Sequence, residues 1–121
     1  MKILITGASG FIGSFIVEEA IRQGFDTWAG VRATSSKKYL QDERIHFAQL
    51  DMRNTKKLCS QLLAYKTEMG GEGWDYIVHA AGATKCLHAE DFFRTNTDGT
   101  RNFIDALRET GMVPRRFVFL S

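Results

Sequence analysis

The sequence predicts an α/β protein, a doubly wound parallel sheet of five strands in the order 3-2-1-4-5 with helices on both faces. Two observations carry that expectation. Short apolar runs of strand length alternate along the chain with longer stretches whose apolar residues recur at helical spacing. The first of these runs, Ile3 to Ile5, breaks into a loop with glycine at every third position, Gly7, Gly10 and Gly13, and a helical pattern opens at Phe11. Parallel strands joined by helical crossovers of one hand can take few orders, and 3-2-1-4-5 is the doubly wound one.

Strand β1 (residues 3–5), the glycine loop and helix α1 (about residues 11–23) together make a phosphate-binding device. Gly7 permits the sharp turn off the strand. Gly10, with no side chain, lets a pyrophosphate approach the backbone, and Gly13 lets the helix pack tightly on the sheet. The first N–H groups of the helix have no internal partners and carry partial positive charge, so they attract phosphate oxygens. Gly7, Ser9, Gly10, Phe11, Ile12 and Gly13 are therefore the candidate cradle for a dinucleotide. Position 8 is alanine, so the string is T-G-x-x-G-x-x-G rather than G-x-G-x-x-G, and the missing Gly-Lys-Ser/Thr excludes a P-loop. The fuller string TGASGFIG resembles the short-chain dehydrogenase/reductase superfamily in its extended, epimerase/dehydratase-type branch. The resemblance implies a Rossmann-type domain, here residues 1–121, that binds NAD(P).

The composition agrees with one such domain. The chain has 121 residues, 44% hydrophobic and 25% charged, with a net charge of +2. That charge is too small to argue for nucleic acid or a membrane surface, and no apolar run approaches the ~20 residues of a membrane span. The chain enters β1 at once, which leaves no room for a signal peptide and points to the cytoplasm. Cys59 and Cys86 form no C-x-x-C, and Cys59 falls where a helix would bury it. His46, His79 and His88 lack metal-ligand spacing, so no metal site is expected.

In α1 the expected buried stripe is Ile12, Phe15, Ile16 and Ala20, with Gly24 as the stop. Strand β2 follows over about residues 26–32. An acid at its far end would hold the ribose 2′-hydroxyl of NAD. Asp26 opens the strand instead and so lies at the wrong end. Arg32 closes it with a planar cationic fork suited to a 2′-phosphate, and Ser35, Ser36, Lys37 and Lys38 could add hydrogen bonds and charge. A solvated basic loop is the plainer alternative. The Val31-Arg32 pair resembles the NADP-preferring reductases of the extended branch, so NADP(H) is favoured while NAD(H) stays open.

Residues 33–43 form a polar connection with room for one helical turn through Tyr39 and Leu40. Strand β3 (about residues 45–50) leads to Asp51 and Met52. The resemblance implies that Asp51 accepts a hydrogen bond from the adenine amino group and that the Met52 backbone reads the ring. Read as a bare residue, Asp51 could equally cap the next helix. That helix, α2 (with Asn54 or Thr55 as cap, running to about residue 69), has Leu58, Leu62 and Tyr65 as its apolar face, flanked by Cys59 and Leu63.

Strand β4 (residues 76–79) is followed by Ala80, Ala81 and Gly82, which resemble the family's run of small residues beside the cofactor's riboses. His79 could suggest a general base, but the end of a buried strand favours a packed, hydrogen-bonded ring. Helix α3 (about residues 90–110) has Phe92, Asn96, Gly99, Phe103 and Leu107 on one face, with Arg94, Asp98, Arg101 and Asp105 on another. Its string Asn96-Thr97-Asp98-Gly99-Thr100-Arg101-Asn102 is similar to the family's N-x-x-G-T-x-N segment, in which the first asparagine lies near the active site. Strand β5 (residues 116–121) is nearly continuous apolar sequence.

Family members carry a catalytic serine or threonine just past this strand, and later a Tyr-x-x-x-Lys pair. Ser121 aligns with the start of the serine-rich stretch. Tyr39, Tyr65 and Tyr76 are followed four residues on by Glu43, Met69 and Ala80, so no catalytic residue is assigned. The expectation is the truncated cofactor-binding half of an NAD(P)-dependent oxidoreductase, epimerase or dehydratase acting on an alcohol, ketone or sugar nucleotide. Such a fragment binds cofactor without turnover and meets a small-molecule substrate only in a full-length form. The alternative is a non-catalytic NAD(P)-binding sensor, and a Tyr-x-x-x-Lys further along the reading frame would separate the two. The β5 edge, with few protective charges, also predicts self-association.

Overall fold

A computed structural model describes residues 1–32, 36–80 and 89–120, with the side chains of residues 89–97 outside that description. The elements are β1 (Lys2–Thr6), α1 (Phe11–Arg22), β2 (Asp26–Val31), β3 (His46–Gln49), α2 (Thr55–Glu68), β4 (Tyr76–His79), α3 (Ala89–Thr110) and β5 (Arg116–Phe119). The strands form one sheet in the order β3-β2-β1-β4-β5, and every neighbouring pair is parallel. This is the Rossmann-like arrangement expected from the alternating pattern.

Strand alternation divides the core between the two faces. On one face Leu4, Trp28, Ala48 and Ile77 meet Leu58 and Leu62 of α2 and Phe103, Ala106 and Leu107 of α3. On the other, Ile3, Ile5, Ala29 and Val31 meet Val17, Ala20 and Ile21 of α1, with Leu40 from the connection. Both faces are apolar because both carry helices.

Helix ends follow local chemistry. Asn54 caps α2, its Oδ1 accepting from the Lys57 N–H at 3.1 Å. Gly24, at φ +85°, ends α1, and the Phe25 N–H reaches back to the Ala20 carbonyl at 3.1 Å. The Lys66 ammonium donates to the carbonyl of Thr110, the last residue of α3, at 2.8 Å, where the helix dipole favours a cation.

Three expectations need correction. The buried residues of α1 are Gly13, Val17, Ala20 and Ile21, whereas Ile12 and Phe15 are 65% and 56% exposed and Ile16 is half-buried. The cause is Gly13. A Cβ there would stand 2.1 Å from the Gly7 carbonyl oxygen, so Gly13 must face the loop, and the residues a full turn on share its side. Ile12 and Phe15 then rotate about 100° and 200° away at 3.6 residues per turn. Gly13 accordingly serves contact with the loop backbone more than with the sheet. Second, Cys59 is only half-buried; its Sγ lies 3.3 Å from Glu109 Oε2 on α3. Burial first, and the neighbouring Glu109 carboxylate second, raise its thiol pKa. Third, the connection around Tyr39 is a hydrogen-bonded turn, Leu40 N–H to Lys37 carbonyl at 3.0 Å, rather than a helix.

Strand β5 is the edge of the sheet. Val118, Phe119 and Leu120 are largely exposed along it, and Ser121 lies outside the described residues. Among the described residues no helix is long and apolar enough to cross a membrane.

Candidate functional site

Because all strands run the same way, the segments following β3, β2, β1 and β4 share one edge of the sheet. In spatial order they present Asp51 and Met52, then Arg32, then the glycine loop, then Ala80. Three strand spacings of about 4.8 Å separate the outer two, roughly 14 Å. An elongated ligand with distinct chemistry at each end suits such a row, and the carboxyl ends of a doubly wound sheet are where ligands bind.

At its centre the glycine loop is held from below. Gly7 takes φ +64°, a left-handed turn that a side chain would oppose. The Ala8 N–H donates to the Gly30 carbonyl at 3.3 Å, and the Gly10 N–H to the Gly7 carbonyl at 3.1 Å. Gly10 is the N-cap of α1 and is exposed, and no side chain caps the helix there. The first turn contains no acidic residue. Among the described residues its first-turn amides thus meet neither a capping side chain nor an acid of their own turn, and keep the positive partial charge of a helix N-terminus. Ser9 is half-buried, and Phe11 and Ile12 are exposed beside the same opening.

Arg32 stands immediately past β2 and is exposed. Ser35 lies outside the described residues. Ser36 Oγ accepts from the Lys38 N–H at 3.3 Å. The ammonium groups of Lys37 and Lys38 sit over the rings of Phe47 and Tyr39, at 4.4 and 5.5 Å from the centroids. Both lysines thus rest on aromatic rings.

Past β3 the chain is pinned from several directions. The Leu50 N–H donates to the Val31 carbonyl at 2.9 Å. The Asp51 N–H donates to Gln61 Oε1 on α2 at 2.8 Å, and Asn102 Nδ2 on α3 donates to the Met52 carbonyl at 2.8 Å. Asp51 Oδ1 accepts from the Arg53 N–H at 3.0 Å and from Arg53 Nε at 3.2 Å, while Oδ2 has the looser 3.7 Å approach of Lys57. The Arg53 backbone N–H, then its guanidinium, lower the Asp51 pKa and keep the carboxylate ionised. Asn54, rather than Asp51, is the cap of α2.

On the other side, β1 and β4 end in register at Thr6 and His79. Thr6 Oγ1 lies 2.7 Å from His79 Nδ1 and accepts from the Ala80 N–H at 3.1 Å, while His79 Nε2 lies 3.1 Å from Thr100 Oγ1. His79 is 1% exposed, and burial lowers its pKa to about 4. It is a neutral, packed ring that ties two strand ends to α3.

Of the residues singled out in the sequence, Gly7, Ser9, Gly10, Phe11, Ile12, Gly13, Arg32, Asp51, Met52 and Ala80 belong to this one edge. Ala81, Gly82 and the Asn96 side chain lie outside the described residues. Thr6, Gln61 and Thr100 were given no role by sequence reasoning, nor was Asn102, although it closes the N-x-x-G-T-x-N string.

Comparison with known proteins agrees with this geometry. The chain is 30% identical over 125 residues to a dTDP-glucose 4,6-dehydratase of Mycobacterium tuberculosis, covering 93% of the chain and 34% of the relative. It is 27% identical over 119 residues to the ceramide reductase of Caulobacter vibrioides, covering 98% and 34%. The chain thus spans about a third of the length of these curated relatives. Among solved structures, a Thermus thermophilus UDP-glucose 4-epimerase in complex with NAD superposes with a TM-score of 0.70 at 26% identity, over 93% of this chain and 35% of that one. Residues 3–121 match the model of the NAD dependent epimerase/dehydratase family, and the chain belongs to that family.

Proposed function

We propose that this chain binds a nicotinamide dinucleotide along the carboxyl edge of its sheet, with NADP(H) ahead of NAD(H). The observation that carries the reading is the glycine loop: Gly13 holds the helix against the Gly7 carbonyl, and the uncapped N-terminus of α1 opens at the end of the central strand. There it would receive the pyrophosphate, on the first-turn amides of Phe11 and Ile12, with Gly10 leaving room for its approach. Asp51 and Met52 would take the adenine, Arg32 the 2′-phosphate, and Ala80, Ala81 and Gly82 the riboses toward the nicotinamide. When bound, the cofactor supplies hydride transfer.

In a longer protein this unit would serve an oxidoreductase, epimerase or dehydratase acting on an alcohol, ketone or sugar nucleotide in the cytoplasm. Asn96 would then help order the active site. None of the residues named here is assigned a catalytic step. The expected self-association through β5 is part of the same proposal, and light scattering over a concentration series, with Val118→Lys beside the parent, tests it.

Titrating NADP(H) and NAD(H) into the parent and Arg32→Ala tests the cofactor choice. The parent is expected to prefer NADP(H), and the variant to lose about tenfold on NADP(H) alone, the usual scale for a charged hydrogen bond. Equal affinities in the parent, or equal losses in the variant, would contradict the 2′-phosphate assignment.

A further inference from the structure

Two amide side chains behind the Asp51–Met52 segment suggest how base selection is built. Gln61 on α2 accepts from the Asp51 N–H and Asn102 on α3 donates to the Met52 carbonyl, each at 2.8 Å. Their orientations are chemically determined: a peptide N–H needs the oxygen of Gln61, and a carbonyl needs the nitrogen of Asn102. Helix α3 passes so close that a Cβ on Gly99, one turn before Asn102, would meet Met52 Cβ at 3.5 Å. With Leu50 tied to Val31, the segment is held by β2, α2 and α3 at once. Two groups of the segment remain lightly engaged. Asp51 Oδ2 has only the loose Lys57 contact, and the Met52 N–H has no hydrogen bond among the described residues.

We infer that Gln61 and Asn102 are positioning residues for base recognition, holding the Asp51 carboxylate and the Met52 N–H side by side as an acceptor–donor pair that selects adenine. This rests on the dinucleotide reading above. The pair matches the adenine edge, which offers an amino donor beside a ring-nitrogen acceptor. Hypoxanthine, with a 6-oxo acceptor beside an N–H donor, reverses both groups and leaves both protein partners unmet. Neither Gln61 nor Asn102 touches the base; they act by fixing the peptide groups that do.

Calorimetric titration of the 121-residue chain with oxidised NADP and with its hypoxanthine counterpart tests this. The parent is expected to favour the adenine form by about tenfold or more, the scale of a hydrogen-bonding mismatch. Asn102→Ala and Gln61→Leu should bring that ratio below about threefold, while Gln61→Glu, which keeps the acceptor, should retain it. Gln61 is half-exposed, so its variants remain informative even if Asn102→Ala fails to fold. Variants that weaken both ligands alike and keep the parent's ratio would overturn the positioning role. A parent that binds both forms equally would overturn base selection but leave the cofactor reading standing. Binding of neither form would overturn both.

Discussion

Helices α1 and α3 obey different rules. Among the described residues of α3, those at helical spacing, Phe103, Ala106, Leu107 and Thr110, are the ones buried, so burial of apolar surface sets its rotation. In α1 the rotation is set by one backbone contact, Gly13 against the Gly7 carbonyl, and Phe11, Ile12 and Phe15 are left in solvent. Three large apolar side chains exposed within one turn and a half are a cost that hydrophobic packing alone would not accept. The difference separates the helix that stabilises the sheet from the helix that shapes the candidate site.

Substitutions on the two helices should part accordingly, and the largest effect is expected on α3. Phe103 is fully buried and packs 5.3 Å from the His79 ring; Phe103→Ala should cost about 3–5 kcal/mol by denaturant unfolding. Next comes Gly13→Ala. A methyl group 2.1 Å from a carbonyl oxygen displaces backbone, so a loss on the order of 3 kcal/mol is expected, together with loss of dinucleotide binding. A well-folded Gly13→Ala with unchanged affinity would break the comparison.

Acid should act through the α3 side. His79 titrates at about 4 in the folded chain against 6.5 as its reference value, so between these values the unfolded chain binds more protons. Its contribution to stability is complete above about pH 6.5 and falls as pH drops toward 4. From pH 7 to pH 5 the loss should be about 2 kcal/mol, measured as a shift in denaturation midpoint. The smallest effect belongs to α1's exposed stripe: Phe15→Ala should change stability by no more than about 0.5 kcal/mol.

The same contrast governs what could be read from the chain. The sheet order, Phe103 and Leu107 of the α3 stripe and the packed state of His79 are legible because period, strand ends and burial follow from local sequence; the side chains of Phe92 and Asn96 lie outside the described residues. The α1 stripe was misread because its rotation depends on a through-space contact between Gly13 and a loop six residues earlier, which hydrophobic periodicity does not encode. Gln61 and Asn102 were passed over for a related reason. Their partners lie 10 and 50 residues away, and a half-exposed amide on a helix looks like any solvated residue until the fold sets a peptide group against it. Asp51 stands past a strand end as expected, and of the residues that could cap α2 the structure selects Asn54.

The central claim is that the loop at the start of α1 and the Asp51–Met52 segment form one dinucleotide site. It is tested most directly by following backbone amide resonances while ADP-ribose, the part of the cofactor that spans both, is titrated into the chain. The largest shifts are expected at Gly10, Phe11, Ile12 and Gly13 and at Asp51 and Met52, with little change at His46, Trp74 and Met112 at or near the opposite edge of the sheet. Saturable shifts confined to that opposite edge, or none at all, would contradict it.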